Sequence, residues 1–295
     1  MDQKISVIIN TFNEEKNIET ALKSVSFADE VIVCDMNSQD NTVEIAKKSG
    51  AQVIFYKYTG FVEPARNFAI SKVSNPWILI LDADERIENE LRVRIKEIVA
   101  KTKNYDFVKI PRKNIIFGKW VKSGWWPDYQ IRLFKKGKVT WGDKIHSQPK
   151  TLGKGLSLPT EEKYALIHNN YQSIGQFIER MNRYTTIEAD ELEKQKVKFE
   201  WKYLIEKPLS EFLSRFFANK GYQDGLHGLV LSILQAISFF VVYLKVWENS
   251  KFRQEDLTIA DFQAEIETGG KGVNYWFRQI SGKNSVFSKL LKVFK

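Results

Sequence analysis

The stretch "WILILDADERI" (77–87) runs from a continuous apolar segment into Asp82-Ala83-Asp84 and then into charged, helix-patterned sequence. A strand that is apolar at every position is covered on both faces, as in the parallel sheet of an α/β fold. Ending it in two carboxylates one residue apart is costly, because each raises the energy of ionising the other. Two arrangements relieve that cost. A divalent cation can sit between the pair and a bound polyphosphate, since hard oxygen ligands suit Mg2+ or Mn2+. Alternatively, Asp82 or Asp84 caps a helix that begins near 85–89. A bare Asp-x-Asp does not choose between them.

Three more β-rich runs precede this strand: "ISVIIN" (5–10), "EVIVCD" (30–35) and "QVIFYK" (52–57). Helical patterns separate them in "NIETALKSV", "DNTVEIAKKSG" and "EPARNFAISK", and "ENELRVRIKEIVAK" follows the fourth strand. This alternation predicts an α/β fold, a Rossmann-like, mostly parallel sheet with helices on both faces. Ligands of such sheets bind beyond the carboxyl ends of the strands. Strand one ends in Thr11, Asn13 and Glu14, strand two in Asp35, Asn37, Ser38 and Asp40, strand four in Asp82 and Asp84. Asp40, in "QDNT", reads as the cap that opens the second helix. The convergence of acidic groups on one sheet edge favours the cation over the cap for the Asp82–Asp84 pair.

After Tyr105 the pattern changes to irregular strands and loops, dense in aromatic and basic residues. A long helix is expected over 172–195, then an apolar region over 200–247. The tail ends in "SVFSKLLKVFK", where Val286, Phe287, Leu290, Leu291 and Phe294 share one helical face bordered by Lys289, Lys292 and Lys295. The chain of 295 residues is long enough for one large domain with an appendage. Its net charge of +9 and pI near 9.3 call for an anionic partner. The lone Cys34 excludes an intramolecular disulfide and a multi-cysteine zinc site, and fits a reducing compartment. No signal peptide precedes "ISVII", which predicts that the N-terminal domain stays in the cytoplasm. The basic residues form no single stripe and no nucleic-acid-binding motif is present, so nucleic acid is not an expected partner. The segment "NTFNEE" lacks the glycine-rich phosphate loop of nucleotidylyltransferases.

Four segments in order carry a family resemblance: "SVIINTFNEEKNIETALKSV" (6–25), "DEVIVCDMNSQDNTVEIAKKSGAQV" (29–53), "EPARNFAI" (63–70) and "WILILDADERI" (77–87). Together they resemble the family 2 glycosyltransferases of GT-A fold. The segments "WWPDYQIRLFKKGKVTW" (125–141) and "KGYQDGLHGLVLSILQAISFFVVYLKVWE" (220–248) resemble a narrower branch, the lipopolysaccharide-core glucosyltransferases and their relatives. The similarity spans about residues 4–248. It implies a GT-A nucleotide-sugar-binding and catalytic domain over 1–170 and a connecting helix over 171–200. Membrane-associated helices over 201–248 and a polar tail over 249–295, ending in the basic amphipathic helix, complete the expected division.

The resemblance also implies roles by position. Thr11, Asn13, Glu14, Asp35, Arg66 and Asp82 match donor-nucleotide positions, and Asp82 and Asp84 match the metal-and-diphosphate pair, for Mn2+ or Mg2+. UDP is the implied nucleotide. Asp128, in "WWPDYQ", stands where family members carry a catalytic acid residue, and is the candidate base for an inverting transfer. Trp125 and Trp126 would desolvate it and raise its pKa toward working pH, or serve as core or as a sugar-stacking platform. Arg132 offers a bidentate fork for the diphosphate, against the alternative of a surface arginine paired with an acid. His146 and His168 follow apolar residues at apparent strand ends, where a third metal or diphosphate ligand belongs, although a lone histidine is commonly structural. Ser147 replaces the Glu usual in this branch, which leaves an acidic role there without a carrier.

The run 226–244 is uncharged over about 19 positions, roughly 28 Å of helix and borderline for crossing a bilayer. Ser232, Gln235 and Ser238 form a polar seam, and Gly225, His227 and Gly228 interrupt its start. The preceding "PLSEFLSRFFANK" places Phe212, Leu213, Phe216 and Phe217 on one side, as an interfacial helix does. The expectation is a peripheral or monotopic attachment to the cytoplasmic face of the inner (plasma) membrane, aided by basic flanks. The alternatives are a helix pair packed on the catalytic domain, a contact in a homo-oligomer, or a true span. An active site beside a membrane suits a lipid-linked acceptor, such as a lipopolysaccharide core or a polyprenyl-linked glycan. The leading expectation is therefore a metal-dependent hexosyltransferase of the cell envelope. The competing one is a non-catalytic membrane- or carbohydrate-binding relative that keeps the sheet and loses the chemistry.

Overall fold

The computed structural model describes residues 3–101, 104–142 and 148–281. The chain divides into two compact units, Met1–Gln172 and Ser173–Lys295.

In the first unit, β1 (Ile5–Thr11), β2 (Glu30–Asp35), β3 (Gln52–Phe55) and β4 (Trp77–Asp82) alternate with α1 (Ile18–Ser24), α2 (Thr42–Lys48) and α3 (Glu63–Lys72). β1 is buried at all seven positions, which suits a strand flanked by parallel neighbours and covered on both faces. Period-two alternation divides its side chains. Val7 and Ile9 pack with the buried faces of α1, α2 and α4 (Asn89–Lys101), while Ile8 packs with Ala65 and Ala69 of α3. The helix expected near 85–89 starts at Asn89, at the far end of that range, because β5 (Glu85–Arg86) intervenes. The capping alternative for Asp82 and Asp84 therefore falls.

The region expected to be irregular contains two regular strands in mid-sheet, β6 (Phe107–Ile116) and β8 (Asp128–Lys135). Short strands β7 (Lys119–Trp120), β9 (Val139–Thr140), β10 (Lys150–Thr151) and β11 (Gly155–Ser157) accompany them, and β12 (Leu166–Tyr171) closes the unit. The strand order is β3-β2-β1-β4-β8-β6-β12-β5, with β7 and β11 also paired to β6 and β9 paired to β10 in a separate ribbon. β4–β8 and β6–β8 are antiparallel, while β6–β12 is parallel. The result is the GT-A arrangement, a mostly parallel sheet continued by a mixed half.

The second unit contains α5 (Ile174–Lys194), α6 (Tyr203–Leu213), α7 (Leu226–Asn249) and α8 (Ile259–Ser281). α6 starts five residues before Pro208, which lies inside it, and passes into a π-turn at Ser214–Ala218. α7 includes His227 and Gly228, so these do not interrupt the helix. A Cβ on Gly228 would lie 1.8 Å from the Gly221 carbonyl oxygen, so glycine is what lets the preceding turn abut α7. Of the polar seam, Ser232 and Ser238 donate back to the carbonyls of Gly228 and Leu234. About half of the expected polar tail is the 23-residue α8, capped by Thr258, whose hydroxyl accepts from the Asp261 N–H. Phe217, expected on a lipid-facing side with Leu213, stacks on Trp276 of α8 at 6.2 Å, and both Phe217 and Leu213 are buried. The basic helix expected near the C-terminus lies outside the described residues.

Candidate active site

Loops after β1 and β2 are tied to each other. Asp35, fully buried, accepts from Thr11 Oγ1 at 2.9 Å and from the Ser38 N–H and hydroxyl at 2.8 and 2.5 Å. Asn13, in the left-handed region at φ 54°, accepts from Gln39 N–H at 2.8 Å, and its own N–H donates to Ser38 Oγ. Glu14 receives Asn17 Nδ2 at 2.7 Å and its N–H donates to Thr42 Oγ1. Asp40 accepts from the Thr42 and Glu15 N–H groups, which gives it the local role expected of it, although the residue preceding α2 is Asn41. Thr11, Asn13, Glu14 and Asp35 thus stand together at one sheet edge.

Beyond the end of β4 lies a network of three arginines and three acids. Asp82 Oδ1 receives Arg66 Nη2 at 2.7 Å and Oδ2 receives Arg132 Nη2. Arg132 Nη2 also donates to Glu85 Oε1 at 2.6 Å, and Arg112 Nη1 reaches the same oxygen at 3.2 Å. Arg112 then holds Asp128 Oδ2 through Nη2 at 2.6 Å and Nε at 2.8 Å. Burial opposes ionisation of Asp82, but the charges of Arg132 and Arg66 outweigh it and hold that carboxyl well below the usual range. Burial likewise pushes Asp128 up. The charge of Arg112, with hydrogen bonds from Asn114, Arg112 and Gln130, outweighs it and leaves Asp128 below its ordinary value. The expectation that Trp125 and Trp126 raise this pKa is therefore corrected: the charge of Arg112 and three side-chain hydrogen-bond partners outweigh desolvation by burial. Arg132 is 2% exposed, not a surface residue. Its Nη2 bridges Asp82 and Glu85.

Asp84 and His168 form a second pair, Oδ2 to Nε2 at 3.4 Å. Asn114 sets the imidazole tautomer. Its Nδ2 donates to the Trp125 carbonyl at 3.2 Å and to Asp128 Oδ2 at 3.1 Å, both pure acceptors, so its Oδ1 must face His168 Nδ1, 2.6 Å away. Nδ1 therefore carries the hydrogen, and in the neutral ring Nε2 turns a lone pair toward the Asp84 carboxylate. Two acceptors facing each other at that distance fit a cation between them, and the ring's other nitrogen has the outer partner that metal-ligating histidines have. Among the described residues no group of three His, Cys, Asp or Glu converges as a metal cage. Two protein ligands with diphosphate oxygens and waters are the usual set for Mg2+. His146 lies outside the described residues.

Sequence reasoning missed Asn10, Glu85, Arg112 and Asn114. The signal for the last two was present: Val108 and Ile110 alternate on β6, and the same face continues as Arg112 and Asn114. Polar residues on a buried strand face mark a site. Glu85 becomes a site residue only because β5 pairs with β12, His168 opposite Glu85. Asn10, paired in register with Asp82, keeps both amide atoms buried without a partner, which is costly unless something else completes them.

The model of the family described as glycosyl transferase family 2 matches residues 6–151. An uncharacterized glycosyltransferase of Rickettsia typhi is 33% identical over 259 residues, covering 84% of this chain and 88% of that protein. LpsC, a lipopolysaccharide core biosynthesis glycosyltransferase of Rhizobium meliloti, is 24% identical over 256 residues, covering 83% of this chain and 92% of that protein. Among solved structures, glucosyl-3-phosphoglycerate synthase from Mycobacterium tuberculosis, crystallised with Mn2+, UDP-glucose and phosphoglyceric acid, is 24% identical. That match covers 36% of this chain and 43% of the other, with a TM-score of 0.32. The chain belongs to glycosyl transferase family 2, and it is a glycosyltransferase.

Proposed function

We propose that this glycosyltransferase is metal-dependent and inverting, and moves a hexose from a UDP-sugar to a lipid-linked acceptor at a membrane surface, as in lipopolysaccharide core assembly. The observation that carries the reading is the Asp84–His168 pair with its tautomer held by Asn114. Asp84 and His168 would hold Mn2+ or Mg2+, which supplies Lewis-acid neutralisation of charge on the departing diphosphate. Asp82, kept ionised by Arg66 and Arg132, stands beside them on the donor side. Thr11, Asn13, Glu14 and Asp35 form the wall for the nucleotide, with Arg66, whose guanidinium lies 5.6 Å from the Trp141 ring, over it. The acceptor hydroxyl attacks the anomeric carbon from the face opposite the diphosphate, and Asp128 takes its proton.

The acceptor class rests on the second unit. α7 is long and apolar enough to cross a membrane, yet only 22% of its most apolar stretch is buried within the protein. Leu226, Ile233, Ile237 and Phe240 lie exposed along it. These features, and the part of the LpsC relative in lipopolysaccharide core biosynthesis, support a membrane attachment, which we place at the cytoplasmic face as peripheral or monotopic.

Thermal melts of the full chain with UDP, GDP and dTDP, each with and without Mn2+, test the donor half. The expected result is a rise in Tm with UDP that requires Mn2+, and its loss in Asp84→Asn with the ligand-free Tm unchanged. A UDP shift that ignores both Mn2+ and Asp84→Asn defeats the metal role. Indifference to all three nucleotides removes the donor half of the proposal.

A further inference from the structure

Asp128 has two unlike oxygens. Oδ2 receives Arg112 Nε and Nη2 at 2.8 and 2.6 Å and Asn114 Nδ2 at 3.1 Å, while among the described residues Oδ1 receives only Gln130 Nε2 at 2.6 Å. A carboxylate oxygen with three donors has no lone pair left for a further proton, whereas Oδ1 keeps one. The pairing is built into the sheet: Arg112 and Asp128 are directly opposite each other in the β6–β8 ladder. Opposite partners on neighbouring strands stay within reach of each other with little loss of rotamer freedom. Arg112 is itself fixed at its far end by Glu85, whose side chain is fully buried.

We propose that Arg112 is a positioning residue for sugar transfer, immobilising Oδ2 of Asp128 so that Oδ1 is the oxygen that takes the acceptor proton. The proposal rests on the glycosyltransfer reading above. In the step, the acceptor oxygen bonds to the anomeric carbon as the bond from that carbon to the diphosphate breaks. The electron pair leaves on the nucleoside diphosphate, and the hydroxyl proton goes to Asp128 Oδ1. Arg112 also keeps the base ionised. Its guanidinium is in direct contact with Asp128. Glu85 and Arg132 stand beyond Arg112 with opposite charges, and His168 is separated from Asp128 by Asn114. Because Arg112 lowers the pKa of Asp128, the acid limb of the rate profile lies low, and removing the guanidinium charge moves it to higher pH.

The test uses the full chain with UDP-glucose and Mn2+, reading UDP release to water over pH 4–9 for the native protein, Arg112→Gln, Arg112→Lys and Asp128→Asn. Arg112→Gln is expected to lower kcat about tenfold, short of the ~10²–10⁴-fold that a general base supplies, with KM for UDP-glucose unchanged and the acid limb moved upward. Arg112→Lys, which keeps the charge and loses the fork, should restore the limb but not the full rate, and it serves if Arg112→Gln does not fold. Native kcat and an unmoved limb in Arg112→Gln would overturn the proposal, as would a rise in KM alone. UDP-dependent melting shifts separate the two failures. Native protein that binds UDP with Mn2+ but releases UDP from UDP-glucose no faster than Asp128→Asn loses the base and its positioning residue. Native protein that binds no UDP loses the donor reading itself.

Discussion

Glu85 has no solvent contact at its side chain, yet it accepts from Arg112 Nη1, Arg132 Nη2 and the Asp82 N–H. A buried carboxylate is stable only when its charge is matched, and here one acid is shared by two guanidinium groups. Each of those holds a second acid on the other side, Asp82 or Asp128. Removing the shared acid leaves one buried and one half-buried cation short of a partner. Glu85→Ala is therefore expected to destabilise the first unit by about 3–5 kcal/mol, read as a fall in the urea midpoint. A native midpoint would show that the arginines find other partners. Glu85 could not be singled out in "DADERI", because its neighbours in sequence imply a helix start, and its partners lie 27 and 47 residues away.

At the level of elements, β4, β1 and β2 were legible from their unbroken apolar runs, whose ends carry Asp82, Thr11 and Asp35. β6 and β8 were legible only as irregular strands, because basic and aromatic residues interrupt the pattern. Their polar positions include Arg112, Asn114, Asp128 and Arg132, so the residues that carry function also blurred the strands. α8 was hidden for another reason. Its apolar positions, Phe262, Ile266 and Ile280 among them, are broken by Gly269 and Gly270, which lower helix propensity. Gly269 has a packing cause, since a Cβ there would meet Leu209 Cδ2 of α6 at 2.6 Å. The sharper steric test is Gly228, whose would-be neighbour is backbone and cannot rotate away. Gly228→Ala should lower the stability of the second unit by about 1–3 kcal/mol, measured by the loss of helical signal in a thermal scan. An unchanged scan would mean that the turn at Gly221–Asp224 relaxes freely.

For the whole molecule, the exposed row on α7 and the net charge of +9 lead to one expectation about location. Apolar side chains in the interface and basic charge near anionic headgroups add to membrane affinity. The full chain is expected to float with vesicles of anionic phospholipid. The double variant Ile233→Lys with Ile237→Lys should do so several-fold less, with its UDP-dependent melting shift intact. Equal flotation of native and variant protein would move the attachment elsewhere, and no flotation of either would remove it.

Sequence alone determined the parallel half of the first unit's sheet, β1 to β4, its polar carboxyl edge and the family. Each rests on local regularities: period-two and 3.6-residue patterns, and short motifs whose spacing survives without knowledge of contacts. Tertiary structure decided which charges meet. Asp82 could have capped a helix or stood in a cluster of charges, and it lies between Arg66 and Arg132, seven residues before the helix. Asp128 could have been raised by tryptophans, and it is lowered by Arg112 from the adjacent strand. The reason is that electrostatic energy depends on separation in space at low dielectric, and strand pairing brings together residues that the chain keeps far apart.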